Sequence, residues 1–253
     1  MKVATDIGLL YKRYTRQMLR NPIWLFVGFS TPVLYLALFT PLLKQVTRAP
    51  STGIALELFL PGIMSLMAFA SGSSAGFSTI FELQGGVIER FRVTPTSRFA
   101  ILIGPILSGL SMMLVFDLVV VFVGIGFGFD AHWGGLAVLA VLLCLLATTF
   151  AAFSVATAIS TKEISAFAAV INGINLPLLL LAGVLLPISS QTAPAWMQVL
   201  AHFNPLYYLV VASRALAVDA YGRPEVWQAF AVLAPICAAM LAWATRIFRR
   251  AVA

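Results

Sequence analysis

Few residues in the 253-residue chain have side chains capable of chemistry. Gly72-Ser73-Ser74-Ala75-Gly76 fits G-x-S-x-G, the turn that presents a serine nucleophile. Such a serine needs a base within hydrogen-bond reach. The two histidines, His132 and His202, map to outer loops, whereas Ser74 maps to the inner half of the second apolar stretch. The base is therefore out of reach, and hydrolase chemistry fails on geometry. The same residues read as G-x-x-x-G, with Gly72, Ser73 and Gly76 forming a face on which helices approach closely in lipid. None of the four lysines, Lys2, Lys12, Lys44 and Lys162, follows a glycine, so no P-loop exists. If ATP drives this protein, another chain binds it. Cys144 and Cys237 lie in apolar runs and suit packing thiols, with no metal-site spacing. Asp117 is a lone acid at membrane depth, where ionisable groups default to function. It is a candidate for the substrate path together with Asn172 and Asn175. Alternatively it pairs with one of those asparagines or lies near the end of its span.

The elements that position these groups follow from composition. Hydrophobic residues make up 61% and charged residues 10%, with a mean hydropathy of +0.99. Soluble domains carry about 25% charge, so this chain cannot coat a soluble particle of its size. Disorder, a secreted disulfide scaffold and an ordinary cytosolic enzyme are excluded. No segment alternates as a membrane β-strand does. The expected fold is all-α, a polytopic helical membrane protein with one transmembrane domain over 1–253. A net charge of +7 would suggest nucleic acid in a soluble protein. Here it reads as membrane topology, and no nucleic-acid partner is expected.

Residues 1–22 form an interfacial segment. Val3, Ile7, Leu10, Tyr11, Tyr14 and Met18 share one helical face, and Lys2, Asp6, Lys12, Arg13, Arg16 and Arg20 the opposite one. Leu9 breaks the pattern. A basic amphipathic helix of this kind lies in the membrane interface. It is not a signal peptide, because the apolar run from Ile23 to Leu43 exceeds an h-region of about 7–15 residues. Six spans are expected, at about 23–43, 57–80, 100–128, 135–160, 164–187 and 226–245. Pro187, Pro194 and Pro205 cut the uncharged stretch after the fifth span. The piece from Leu206 to Tyr221 is short for a span and carries Arg214 and Asp219. Residues 188–224 therefore read as an extracytoplasmic re-entrant or interfacial segment.

Charge supports that topology. With six spans and the N-terminus inside, Lys44, Arg48, Arg214 and Arg223 are the only basic residues outside. The other twelve lie inside, as the positive-inside rule requires. Both termini are then cytoplasmic.

The inner segment 81–99 is the most informative. After Gly85–Gly86, the side chains of Val87, Ile88 and Phe91 share a helical face, while Glu89, Arg90 and Arg92 point elsewhere. Thr94 can cap the next helix, with Pro95 at its first position. A short charged helix between two spans is either a solvated loop helix or a docking element for a cytosolic partner. The run Glu82-x-x-Gly85-Gly86-x-Ile88-Glu89-Arg90-Phe91-x-Val93-Thr94-Pro95-x-Ser97-Arg98 resembles the inner loop of type 2 ATP-binding-cassette (ABC) exporter permeases. It is most similar to the daunorubicin/doxorubicin-type drug and antibiotic exporters, with lipo-oligosaccharide exporter permeases close by. Val87 stands where the family commonly has Thr, and Phe91 where it commonly has Leu. Asn204-Pro205-Leu206-Tyr207-Tyr208 and Arg214 resemble a second family stretch.

The resemblance implies a multi-pass permease of the plasma (inner) membrane. Two permeases pair, as a homodimer or heterodimer, and two ABC ATPase subunits dock on their inner loops. ATP and magnesium would sit on those ATPases, with no cofactor, metal or catalytic residue in this chain. Glu82, Gly86, Ile88, Glu89, Arg90, Phe91, Arg92 and Pro95 would couple the ATPase to the membrane, residues 82–92 forming the coupling helix and the N-terminal helix adding a second contact. The implied activity is ATP-driven export of an amphipathic drug, lipid-like or glycolipid substrate. The rival is a secondary transporter or channel working without ATP. That would require several intramembrane ionisable residues, and Asp117 stands nearly alone.

Overall fold

In the computed structural model, residues 2–46, 51–86, 98–184 and 193–251 are described, and every regular element among them is a helix. The first, α1 (Lys2–Leu19), buries Leu10 and Tyr14 and turns its cations outward. Arg20–Asn21 links it to α2 (Pro22–Val46), which begins on its proline. The third is α3 (Thr52–Gln84). It starts where the Ser51 hydroxyl accepts the Ile54 N–H at 3.3 Å, a side-chain cap. The helix thus begins before the expected span, which was placed from residue 57. The next two are α4 (Arg98–Gly126) and α5 (Trp133–Thr161).

Among the described residues, five helices are long and apolar enough to cross a membrane: α2, α3, α4, α5 and α9 (Pro224–Ala251). Between α5 and α9 lie shorter pieces. α6 (Ile164–Leu180) has 17 residues, about 25 Å of helix against about 30 Å of hydrocarbon. The sequence expects this span to reach residue 187. Instead the helix gives way to a turn at 181–184, where Gly183 takes φ 68°. Pro177 sits in its last turn, and the Asn204 side chain donates to the Leu178 carbonyl at 2.6 Å. Those two features end α6 early. The stretch read as re-entrant holds two short helices, α7 (Ala195–His202) and α8 (Pro205–Ala217). Asn204 caps α8 by accepting the Leu206 N–H at 3.0 Å, with Pro205 at the first position. Residues 188–192 of that stretch lie outside the described residues.

α3 and α5 are the packing axis. α4 and α8 lie against α3, and α9 and α8 against α5. One apolar core spans α2, α3, α4, α5, α8 and α9 through residues such as Leu36, Phe59, Met113, Leu139, Leu209 and Leu233. A second core joins α1 to the start of α4 and the ends of α5 and α9, through Leu10, Ile106, Val155 and Phe248. A small third cluster, Ile80, Ala158, Phe167 and Ile171, holds the first half of α6, while Leu178 and Leu179 pack against the main core.

Candidate functional site

The site is built on α3. At Gly72 an added Cβ would lie 2.5 Å from the Ala147 carbonyl oxygen, and at Gly76 it would lie 2.6 Å from that of Ser154. Only glycine permits this approach of α3 to α5. Ser154 closes the contact with two hydrogen bonds. Its hydroxyl donates to the Ser73 carbonyl at 2.6 Å and accepts the Gly76 N–H at 2.9 Å. The remaining serine of the pentapeptide, Ser74, is exposed and donates to the Ser71 carbonyl of its own helix at 2.8 Å. The histidines are engaged elsewhere: His132 Nδ1 with the Ala217 carbonyl and His202 Nδ1 with the Gln198 carbonyl. Among the described residues no His, Cys, Asp or Glu cluster could hold a metal.

Beside this contact, α3 and α6 share a polar face. The Ser73 hydroxyl donates to the Asn175 side-chain oxygen at 3.2 Å. Asn172 of α6 is exposed, and so are Ser74 and Ser78 of α3, which line a cavity shared with α1, α4 and α5. Asp117 is elsewhere. It is 2% exposed on α4 and lies near Cys144 of α5, and neither carboxylate oxygen finds a hydrogen-bond partner. Among the described residues α4 and α6 make no substantial contact. Thus Asn172 and Asn175 belong to one helix, and Asp117 stands apart from it.

The coupling residues divide. Ile88, Glu89, Arg90, Phe91, Arg92 and Pro95 lie outside the described residues. Glu82 and Gly86 lie within them. α3 continues through Gln84, and Gly85 ends it, its N–H donating to the Phe81 carbonyl at 2.9 Å. Gly86 takes φ 64°, a left-handed conformation that favours glycine. Glu82 therefore occupies the last turn of α3 rather than a separate helix. Its carboxylate lies beside Arg13 and the Tyr14 phenol of α1. Burial and the Glu82 charge raise the Tyr14 phenol above its ordinary value, so it stays neutral and can donate.

Two features had no warning in the sequence. One is a cavity of about 680 Å³ between α1, α3, α4 and α5, with Arg13, Gln17 and Glu82 at its polar side and Phe77, Ile106 and Leu110 at its apolar side. Its polar groups come from α1, from Asn21 and from the second half of α3, including Ser71, Ser74 and Ser78, which no local pattern joins. The other is Arg214. Its guanidinium donates to the carbonyls of Leu58, Gly183 and Val184 at 3.2, 2.7 and 3.0 Å. It ties α8 to α3 and to the turn after α6. In the sequence it reads as an outer charge and as part of the second family stretch, with no sign of these three carbonyls.

A family model described as ABC-2 type transporter matches residues 5–218. A ycf38 transport permease of Cyanophora paradoxa is 33% identical over 218 residues, covering 83% of this chain and 73% of that protein. A daunorubicin-resistance ABC transporter permease, DrrB1 of Streptomyces coeruleorubidus, is 27% identical over 232 residues, covering 90% and 80%. The ycf38 transport permease of Porphyra purpurea is 25% identical over 217 residues, covering 84% and 74%. With apolar helices fit to cross a membrane and a family match spanning most of its length, this chain belongs to the ABC-2 type transporter family of membrane permeases.

Proposed function

We propose that the chain is the membrane subunit of an ATP-driven exporter of amphipathic drug, lipid-like or glycolipid substrates. The observation that carries this is the family match over residues 5–218, together with exposed Ser74, Ser78 and Asn172 on the faces of otherwise apolar helices. Bare lipid is a poor neighbour for such groups, and Ser and Asn side chains in membranes bond across helix contacts. A second permease on these faces would leave a part-polar path between the two subunits, suited to a molecule with a polar end and an apolar body. The likeness to a daunorubicin-resistance permease favours the drug branch. In this reading α6 is a sixth, thin span, both termini are cytoplasmic, and 188–224 forms an outer re-entrant segment. Residues 82–95 receive two ABC ATPase subunits that hold ATP and magnesium. The membrane is the plasma (inner) membrane.

Inverted vesicles containing the chain and its ATPase test this reading. ATP-dependent, vanadate-sensitive uptake of daunorubicin or a fluorescent lipid is expected. Uptake that persists without ATP and follows an ion gradient would instead establish the secondary-transporter reading.

A further inference from the structure

We propose that α1 and the inner end of α3 bind one anionic phospholipid, its headgroup on a shelf of α1 cations and an acyl chain in the cavity behind them. Two adjoining spaces support this. The first is the cavity of about 680 Å³, within the range of about 300–1,000 Å³ typical of ligand pockets. Its wall is largely apolar or small, with Ile106, Gly109, Leu110, Ala147 and Ala151, and carries the hydroxyls of Ser71, Ser74 and Ser78 along α3. The second is a shallow recess of about 490 Å³ on the outer face of α1, formed by Lys12, Arg16 and Arg20 with Leu9. Arg13 and Gln17 line both, so the shelf and the slot meet along one edge of α1.

Charge selects the occupant. Lys12, Arg13, Arg16 and Arg20 line these spaces, and Glu82 is the one acid among the described lining residues, set beside Arg13. Juxtamembrane cations favour anionic lipid. A free anion would satisfy the shelf but leave the apolar slot unused. A zwitterionic lipid would fill the slot but gain little from the shelf. Leu9 and Leu19 flank the cations and are 64% and 55% exposed. Exposed apolar side chains beside cations suit an interface of headgroups and chains. The inference needs only that α1 lies against a membrane, so it stands or falls separately from export.

The test is native mass spectrometry of the full chain titrated with phosphatidylglycerol or phosphatidylcholine of matched chains. Wild type should retain phosphatidylglycerol preferentially, and soluble glycerophosphoglycerol should not displace it. R16Q/R20Q should weaken that retention about tenfold or more, because each juxtamembrane cation adds to the attraction. Gly109→Leu should also weaken it, by filling the slot. A Cβ at Gly109 meets nothing nearer than Ser71 Oγ at 4.0 Å, so a side chain can leave the helix there, and folded G109L protein decides even where the first variant fails to fold. Equal retention of the two lipids, displacement by the free headgroup, or unchanged retention in a folded G109L protein would overturn the proposal. So would an R16Q/R20Q variant that keeps its lipid but loses a co-purifying ATPase, which would assign the shelf to that partner.

Discussion

α5 and α6 follow one another with only Lys162–Glu163 between them, and both are strongly apolar. Yet their surroundings differ. α5 buries 17 of its 29 residues, from Gly135 to Ile159, and forms one side of the packing axis. α6 buries only Phe167 and Ile171. Hydrophobicity is common to both, so it did not decide which would be central. Small residues did. Gly72 and Gly76 of α3 let the α5 backbone come close, and Ser154 bonds across the contact. α6 offers bulky Phe167 instead, which packs edge-on against Phe77 with ring centroids 4.7 Å apart. That leaves α6 as a flank with little of its surface buried.

The sharpest way to break the contrast is to fill the α3–α5 contact. Gly76→Leu would drive a side chain into the Ser154 carbonyl and the Phe167 ring. Overpacking of this kind costs about 1–3 kcal/mol or more, and here backbone must move. Folded protein recovered from membranes should fall several-fold, as measured by size-exclusion yield. Normal yield would mean that the close approach is dispensable.

Next in size is the break after α3. Proline holds φ near about −65°, whereas Gly86 sits at φ 64°. Gly86→Pro should leave insertion intact, since no span changes, but misdirect the segment that follows. Glu89→Ala and Arg90→Ala should weaken a charged contact there, by about 1–3 kcal/mol. Transport and ATPase recovery should fall together at normal membrane levels. If all three variants transport and retain the ATPase as wild type does, the segment has no coupling role.

A smaller effect is expected at Ser154, whose hydroxyl makes two interhelical bonds. Ser154→Ala should lower stability by about 0.6–1.7 kcal/mol, the scale of interhelical hydrogen bonds in membranes. The readout is thermal unfolding in detergent. On the flank, Asn172→Leu should leave that unfolding unchanged, because the side chain is exposed, and reduce transport. The pair separates core from path. A destabilised Asn172→Leu protein would place that residue in the fold instead.

Much of this contrast was legible in the sequence, and its limits are physical. Composition and charge pointed to the membrane class, the basic amphipathic α1 and the positions of most helices, because burial in lipid acts on every residue of a span. The Gly72–Gly76 spacing was visible for a related reason: three or four residues return to one helix face. The early end of α6 was not, since it depends on Asn204 reaching Leu178 from 26 residues away. The grip of Arg214 on three carbonyls and the meeting of Arg13, Tyr14 and Glu82 were hidden likewise. Each joins residues far apart in sequence, and a single sequence holds no pattern for such contacts.

The smallest expected effect falls within the same pentapeptide as the largest. Ser74 lies two residues from both Gly72 and Gly76, and on a helix two residues is about half a turn. The glycines therefore face α5 while Ser74 turns away from that contact, exposed along the cavity beside α1 and α4. Its hydroxyl donates to the Ser71 carbonyl, a bond within one helix that holds nothing else in place. Ser74→Ala removes that bond and a polar point along the cavity, leaving the α3–α5 contact untouched. Unfolding should shift by no more than about 0.5 kcal/mol, as for surface changes generally. Transport should stay within about twofold of wild type, since a change of about 0.4 kcal/mol alters a rate only about twofold. Loss of activity in a stable, fully assembled Ser74→Ala protein would mean that this hydroxyl does chemistry after all. The pentapeptide would then have to be reconsidered as a nucleophile turn whose base comes from another subunit.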